Sequence, residues 1–143
     1  IRAEGAYPAI VTHGPRLEPL QPLTVDGPGG PLTITPLDQD HGFMRSLGFR
    51  IGPVGYSNDL VGMPEESFAA LNGLSLWIVD ALRETPHPTH AHVGQALGWI
   101  ARLKPAHAVL TNMHIDLDYA ALKAKLPAGV EPGYDGWARD FPI

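Results

Sequence analysis

The stretch Ala108-Val109-Leu110-Thr111-Asn112-Met113-His114-Ile115-Asp116-Leu117-Asp118-Tyr119 limits the possible folds more than any other. It begins as a short apolar run, the pattern of a buried strand. It breaks into a threonine, an amide, an imidazole and two carboxylates, and Leu117, Ala121 and Ala124 or Lys125 then recur at helical spacing. A strand that ends in polar residues and hands over to a helix is an α/β arrangement, and in such sheets chemistry sits in the crevice beyond the strand ends. His114 stands in that loop. A plainer reading is equally open on this stretch alone: Asn112 and Asp116 cap the helix and His114 is a solvated loop residue.

The same pattern recurs along the chain. Tyr7 to Val11 and Leu23 to Val25 have strand character, and Asp26-Gly27-Pro28-Gly29-Gly30 reads as a turn. Pro31 to Leu37 alternates like a half-buried strand and ends in Asp38-Gln39-Asp40-His41-Gly42. Ser46 to Gly52 and Val54 to Ser57 form two strands about a Gly52-Pro53 turn, and the second runs into Asn58-Asp59. Pro64 suits the first turn of a helix, with Glu65 and Glu66 at its positive end and Asn72-Gly73 as its stop. Leu74 to Asp80 is a buried strand that leads to Pro86-His87-Pro88-Thr89-His90-Ala91-His92. Thr89 is the expected N-cap of the next helix, whose apolar face is Val93, Ala96, Leu97 and Ile100 and which ends at Lys104-Pro105. Val130 to Gly136 is a last short strand and turn.

Composition narrows the chemistry. At 143 residues and 44% hydrophobic, the chain has enough apolar material for one ordinary core. A net charge of -5 argues against a nucleic-acid backbone as the main partner. With no cysteine there is no disulfide, thiolate nucleophile or cysteine-based zinc site. No apolar run is long enough to span a membrane and no signal peptide is visible, so the cytoplasm is the expected compartment. Seven histidines are about twice the usual frequency and hint at metal or acid–base chemistry.

The strand ends thus deliver His41, Asp59, the His87/His90/His92 group and His114. Each alone fits a surface or hydrogen-bonded residue. Together they mean more, because adjacent strand ends converge in space. Imidazole and carboxylate suit zinc, manganese or iron, and water on such an ion becomes a nucleophile near neutral pH. His90-Ala91-His92-Val93-Gly94-Gln95 opens like a His-x-His-x-Asp-His metal motif but fails it, with Gly94 in place of the aspartate and Gln95 in place of the last histidine.

The ordered series Asp40-His41-Gly42, Ser46-Leu47-Gly48-Phe49-Arg50-Ile51-Gly52, Tyr56-Ser57-Asn58-Asp59, Trp77 to Arg83, Pro86 to His90, Leu110 to Tyr119 and Glu131-Pro132-Gly133-Tyr134-Asp135-Gly136 covers nearly the whole chain. It resembles the second half of the metallo-β-lactamase fold hydrolases, in the branch similar to phosphoribosyl cyclic phosphate phosphodiesterases and, more distantly, tRNase Z. The resemblance implies an α/β fold: the C-terminal half of an αβ/βα sandwich, a mixed sheet with helices on its outer face. It implies two divalent ions, zinc or manganese, and hydrolysis of a small, cyclic phosphodiester by a hydroxide bridging them. His41 matches a metal-ligand histidine, Asp59 the metal-bridging aspartate with a catalytic stake, and His114 falls in the segment that supplies the last histidine ligand. His90 matches a general acid near the scissile phosphate, while His87 and His92 are expected to pack or to support ligands. Many relatives place the last ligand directly after the threonine, where this chain has Asn112, so His114 must be re-aimed by its loop or the site lacks that ligand.

The family's His-x-His-x-Asp-His loop belongs to the N-terminal half of the fold and is not found here. Residues 1–143 are therefore expected to be the C-terminal portion of one domain, beginning at Ile1 rather than methionine. The N-terminal half or a second copy would cover the inner sheet face, and Ile10, Leu32, Ile34, Val79, Val109 and Leu110 are expected to include residues that face it. The alternative is a non-catalytic remnant or binding module that keeps the fold without a complete metal site.

Overall fold

A computed structural model describes residue 14 and residues 16–141. Its elements run β1 (Leu23–Gly27), β2 (Gly30–Asp40), β3 (Arg45–Ile51), β4 (Val54–Ser57), α1 (Glu65–Ala70), β5 (Leu76–Asp80), α2 (Val93–Leu103), β6 (His107–Thr111), α3 (Tyr119–Lys125) and β7 (Val130–Pro132). The strands lie in one seven-stranded sheet in strict chain order. β1 to β4 pair antiparallel and β4 to β7 pair parallel. Tight turns join antiparallel neighbours, whereas parallel neighbours need a crossover, and here α1, α2 and α3 supply them. Crossovers that share one hand and advance in one direction place their helices on one face. The expected strand at residues 7–11 and Ile10 lie outside the described residues.

The core lies between that face and the helices. Trp77, Val79, Ala108 and Leu110 from β5 and β6 meet Phe68, Ala96, Ile100, Leu103 and Leu122 from the helices. The period of two in the strands and the 3.6-residue period in α2 are what let one face of each element be wholly apolar. Leu110 is fully buried, and truncating such a leucine to alanine costs about 2–5 kcal/mol. Of the residues expected to include those facing a second sheet, Val79 and Leu110 pack against the helices instead. Ile34 does lie on the opposite face, where it lines an apolar hollow with Leu23, Phe49, Ile51 and Tyr56. Val109 also points that way but is covered, with Gly133 against its side chain.

Helix ends differ in detail from the sequence expectation. The N-cap of α2 is His92, whose Nδ1 accepts from the Gln95 N–H at 3.3 Å, rather than Thr89. Asp118 caps α3 by accepting from the Ala121 N–H at 2.8 Å, so Asn112 and Asp116 are not its caps. Among the described residues no helix is long and apolar enough to cross a membrane.

Candidate metal centre

The C-terminal ends of β4, β5 and β6 and the end of β2 meet at one edge of the sheet. Backbone bonds fix this meeting. The Asp40 N–H donates to Gly62 O and the Val61 N–H donates to Asp40 O, both at 2.8 Å, which laces the end of β2 to the segment just after Asp59. The loop after β5 folds back on itself, the Leu82 N–H donating to Ala91 O and the Val93 N–H to Arg83 O. That return carries His90 towards His41. Gly42 makes the approach possible: its φ is +76°, and a Cβ there would lie 2.8 Å from Pro88 O and from Thr89 Cγ2.

Ligand atoms of His41, Asp59 and His90 all lie within 4.8 Å of one another. The rings of His41 and His90 meet edge to face, 4.8 Å between centroids. His41 Nδ1 is 2.8 Å from Thr89 O. A carbonyl oxygen only accepts, so that nitrogen carries the proton and Nε2 keeps a lone pair. His90 Nδ1 is 2.8 Å from Asp80 Oδ2, with Asp80 fully buried. The same logic leaves His90 Nε2 free for a metal or a mobile proton. Asn112 Nδ2 donates to the other Asp80 oxygen at 3.2 Å, and the Leu60 N–H approaches Oδ2 at 3.4 Å. Asn112 Nδ2 also lies 3.2 Å from His90 Nδ1, but two donors face each other there and the bond belongs to Asp80.

Burial pushes the Asp80 carboxyl above the ordinary carboxylate range, against the opposing pull of His90, Asn112 and the Leu60 N–H. Desolvation and the nearby Arg83 guanidinium lower His87 below an ordinary histidine. Its ring lies 5.2 Å from that of His90, and its Nδ1 accepts from the Thr89 N–H at 3.3 Å. A neutral His87 adds no positive charge beside the cluster.

An imidazole with Nδ1 tied to an oxygen acceptor and Nε2 left with its lone pair, as in His41, beside a carboxylate such as Asp59, is the kind of donor set that zinc and manganese take. The residues present therefore fit a divalent ion. Of the sequence-derived site residues, the structure gathers His41, Asp59 and His90. His114 lies outside the group: its N–H donates to Leu82 O at 2.8 Å, and its half-exposed ring turns to Asp116, with Nδ1 2.9 Å from Oδ2. The expected convergence of His41, Asp59 and His114 is thus replaced by His41, Asp59 and His90. Bonds to distant residues hold this loop: Asn112, at a left-handed φ of +59°, donates to Asp80, and the His114 N–H is tied to Leu82 O. Asp80 was missed altogether. Its signal was a carboxylate closing the apolar run Leu76-Trp77-Ile78-Val79, a position where a charge must find partners. A cavity of about 450 Å³ opens beside Asn112, with Thr111, Met113, Tyr134 and Trp137 in its wall.

A single sheet covered by helices on one face, with histidines and carboxylates at its strand ends, defines an α/β chain with a candidate metal centre. The family described as beta-lactamase superfamily domain matches residues 2–115, and the chain belongs to it. A diphosphatase of the PhnP family superposes with a TM-score of 0.82 at 29% identity, over 87% of this chain and 47% of its own. The metallo-β-lactamase fold protein YhfI from Bacillus subtilis gives 0.65 at 20% identity, over 85% of this chain and 53% of its own. The short form of human tRNase Z gives 0.61 at 16%, over 78% of this chain and 44% of its own. An octanoyltransferase from Porphyromonas gingivalis is 31% identical over 108 residues, which are 73% of this chain and 22% of that protein. The chain thus spans about half the length of these solved relatives and a smaller share of the curated one.

Proposed function

We propose that the protein is a metal-dependent hydrolase acting on a small phosphodiester, a cyclic one included. The observation that carries this is the meeting of His41, Asp59 and His90, with Nδ1 of each imidazole tied to an oxygen acceptor. The likeness to a PhnP-family diphosphatase supports phosphorus as the reacting centre. The octanoyltransferase shares 22% of its length with this chain, too small a part to lend it an acyl-transfer reading.

His41, through Nε2, and Asp59, through its carboxylate, are the residues that would hold zinc or manganese. Two such ions supply a nucleophile at neutral pH and offset charge on the phosphoryl oxygens. His90 and Asp80 handle the proton. Asp80 fixes the His90 ring through Nδ1 and so holds Nε2 where it can give a proton to the departing alkoxide. A two-ion centre needs more ligands than His41 and Asp59 provide, and we place the remainder in the rest of the whole protein or on a second copy of this chain. A net charge of -5 suits a small phosphodiester better than a nucleic acid.

A second reading, a fold that has lost its metal centre, has one observation in its favour. Asn112 stands where a last ligand would follow the strand, and His114 has turned away. Elemental analysis of the full-length protein, with hydrolysis of a cyclic phosphodiester before and after chelation, separates the two. About two ions per chain and chelator-sensitive hydrolysis support the first reading. No metal and no hydrolysis support the second.

A further inference from the structure

Among the described residues, two buried side-chain atoms have no hydrogen-bond partner, Gln39 Oε1 and Asn58 Oδ1. Gln39 is fully buried in β2, where an apolar residue would avoid leaving a carbonyl oxygen unpaired. Its amide nitrogen explains its presence. Nε2 donates to Asn58 O at 2.9 Å and to Ser46 Oγ at 3.2 Å. Ser46 Oγ in turn donates to Asp59 O at 2.6 Å. The next residue, Leu60, directs its N–H at Asp80 Oδ2, 3.4 Å away. Three consecutive residues are thus held by side chains from β2, β3 and β5.

At the middle of this turn Asp59 has a φ of +56°. Aspartate tolerates that left-handed conformation better than most residues with a Cβ, but it is still less favourable than the right-handed one, and the bonds from Gln39 and Ser46 help to hold it. A third feature belongs with these two. Gly48 pairs with Leu37 in the ladder, and a Cβ on it would collide with Gln39 Oε1 and sit 3.0 Å from Tyr56 O. The sheet gives up a side chain at Gly48 to make room for a buried glutamine whose oxygen bonds to nothing.

We propose that Gln39 and Ser46 are positioning residues. They clamp the Asn58–Asp59 turn in its left-handed form and so aim the Asp59 carboxylate at the space it shares with His41 and His90. The consequence for metal binding rests on the metal-centre reading; the clamp itself does not.

The test uses the full-length protein. Gln39→Met keeps the length of the side chain and fills its space, but removes the clamp and the unpaired oxygen together. Zn2+ affinity, measured by competition with a chromophoric chelator, is expected to fall about 10- to 100-fold, the usual effect of losing a group that orients a ligand. Thermal stability is expected to fall, because Asn58 O and Ser46 Oγ lose their donor, although the unpaired Gln39 oxygen goes with it. Ser46→Ala should weaken Zn2+ binding in the same direction, and Ser46→Thr, which keeps the hydroxyl, should restore it. Hydrogen exchange at the amides of residues 58–60 should speed up in Gln39→Met and Ser46→Ala. Wild-type Zn2+ affinity together with wild-type exchange in both variants would overturn the proposal. Should the wild-type protein bind no Zn2+, the metal reading falls, and exchange at residues 58–60 alone decides the clamp. If Gln39→Met does not fold, the Ser46→Ala and Ser46→Thr pair carries the same decision.

Discussion

Two imidazole–carboxylate pairs of equal length stand at opposite ends of the parallel strands: His90 with Asp80 and His107 with Glu131, each 2.8 Å apart. His107 opens β6, whereas Asp80 closes β5. Glu131 is about a quarter exposed, and the same oxygen also accepts the Trp137 indole N–H at 2.9 Å. That pair fastens the segment after β7 to the sheet, and among the described residues no further carboxylate or imidazole joins it in a metal-type group. Asp80 is fully buried, and its histidine faces His41 and Asp59. Equal geometry within a pair therefore says little about chemistry. The difference lies in what stands beyond the histidine, and loops at the C-terminal ends of parallel strands are where further groups can gather.

The sharpest way to break this comparison is Asp59→Asn in the full-length protein. The amide is the same size but a poor partner for a cation. Loss of one bound ion and of most hydrolysis is expected, a larger effect than the roughly 10- to 100-fold that follows loss of an outer supporting group. Metal content and activity both unchanged would remove Asp59 from the site. Next comes His90→Ala, for which hydrolysis of a phosphodiester with a poor leaving group should fall about 10²- to 10⁴-fold. Bound metal should be retained, so elemental analysis tells a proton donor from a ligand. A nitrophenyl ester should be nearly insensitive, because its leaving group hardly needs the proton.

Asp80→Asn should fall lower on the scale, at about 10- to 100-fold in turnover, because the His90 ring loses the charge that orients it. Steady-state kinetics should show the loss mainly in kcat. The smallest effects belong to the other pair. His107→Gln and Glu131→Gln should leave metal content and hydrolysis unchanged and cost stability by about 1 kcal/mol, the net worth of a hydrogen bond. Glu131 also gives a pH signature. Its hydrogen bond with His107, then that with Trp137, lowers its carboxyl below the ordinary range. A depressed folded-state pKa adds stability that is complete above the unfolded-state value and fades as pH falls through the folded-state one. The melting temperature of Glu131→Gln should therefore approach that of the wild type in acid and lie below it near neutrality. A constant gap across that range would show that the pair contributes nothing through charge.

Periodicity by itself determined most of the architecture. Alternation in Pro31 to Leu37, the apolar runs Leu76 to Val79 and Ala108 to Leu110, and the spacing of Val93, Ala96 and Ile100 reappear as β2, β5, β6 and α2. These patterns are read locally because burying one face demands a fixed spacing. His41 and Asp59 were legible for a related reason: they directly follow strand ends, so their positions depend on little more than the strands. The rest of the site was decided by the tertiary structure. Whether His90 or His114 joins His41 and Asp59 turns on loop paths, and a loop's path is set by bonds to distant residues rather than by spacing. His90 arrives because Leu82 and Ala91 pair across their loop and Asp80 takes its Nδ1–H. His114 is held apart in a loop where Asn112 donates to Asp80 and the His114 N–H is tied to Leu82 O. Asp80 holds both outcomes together, and its role follows from burial, which forces a carboxylate to collect donors wherever the fold can bring them.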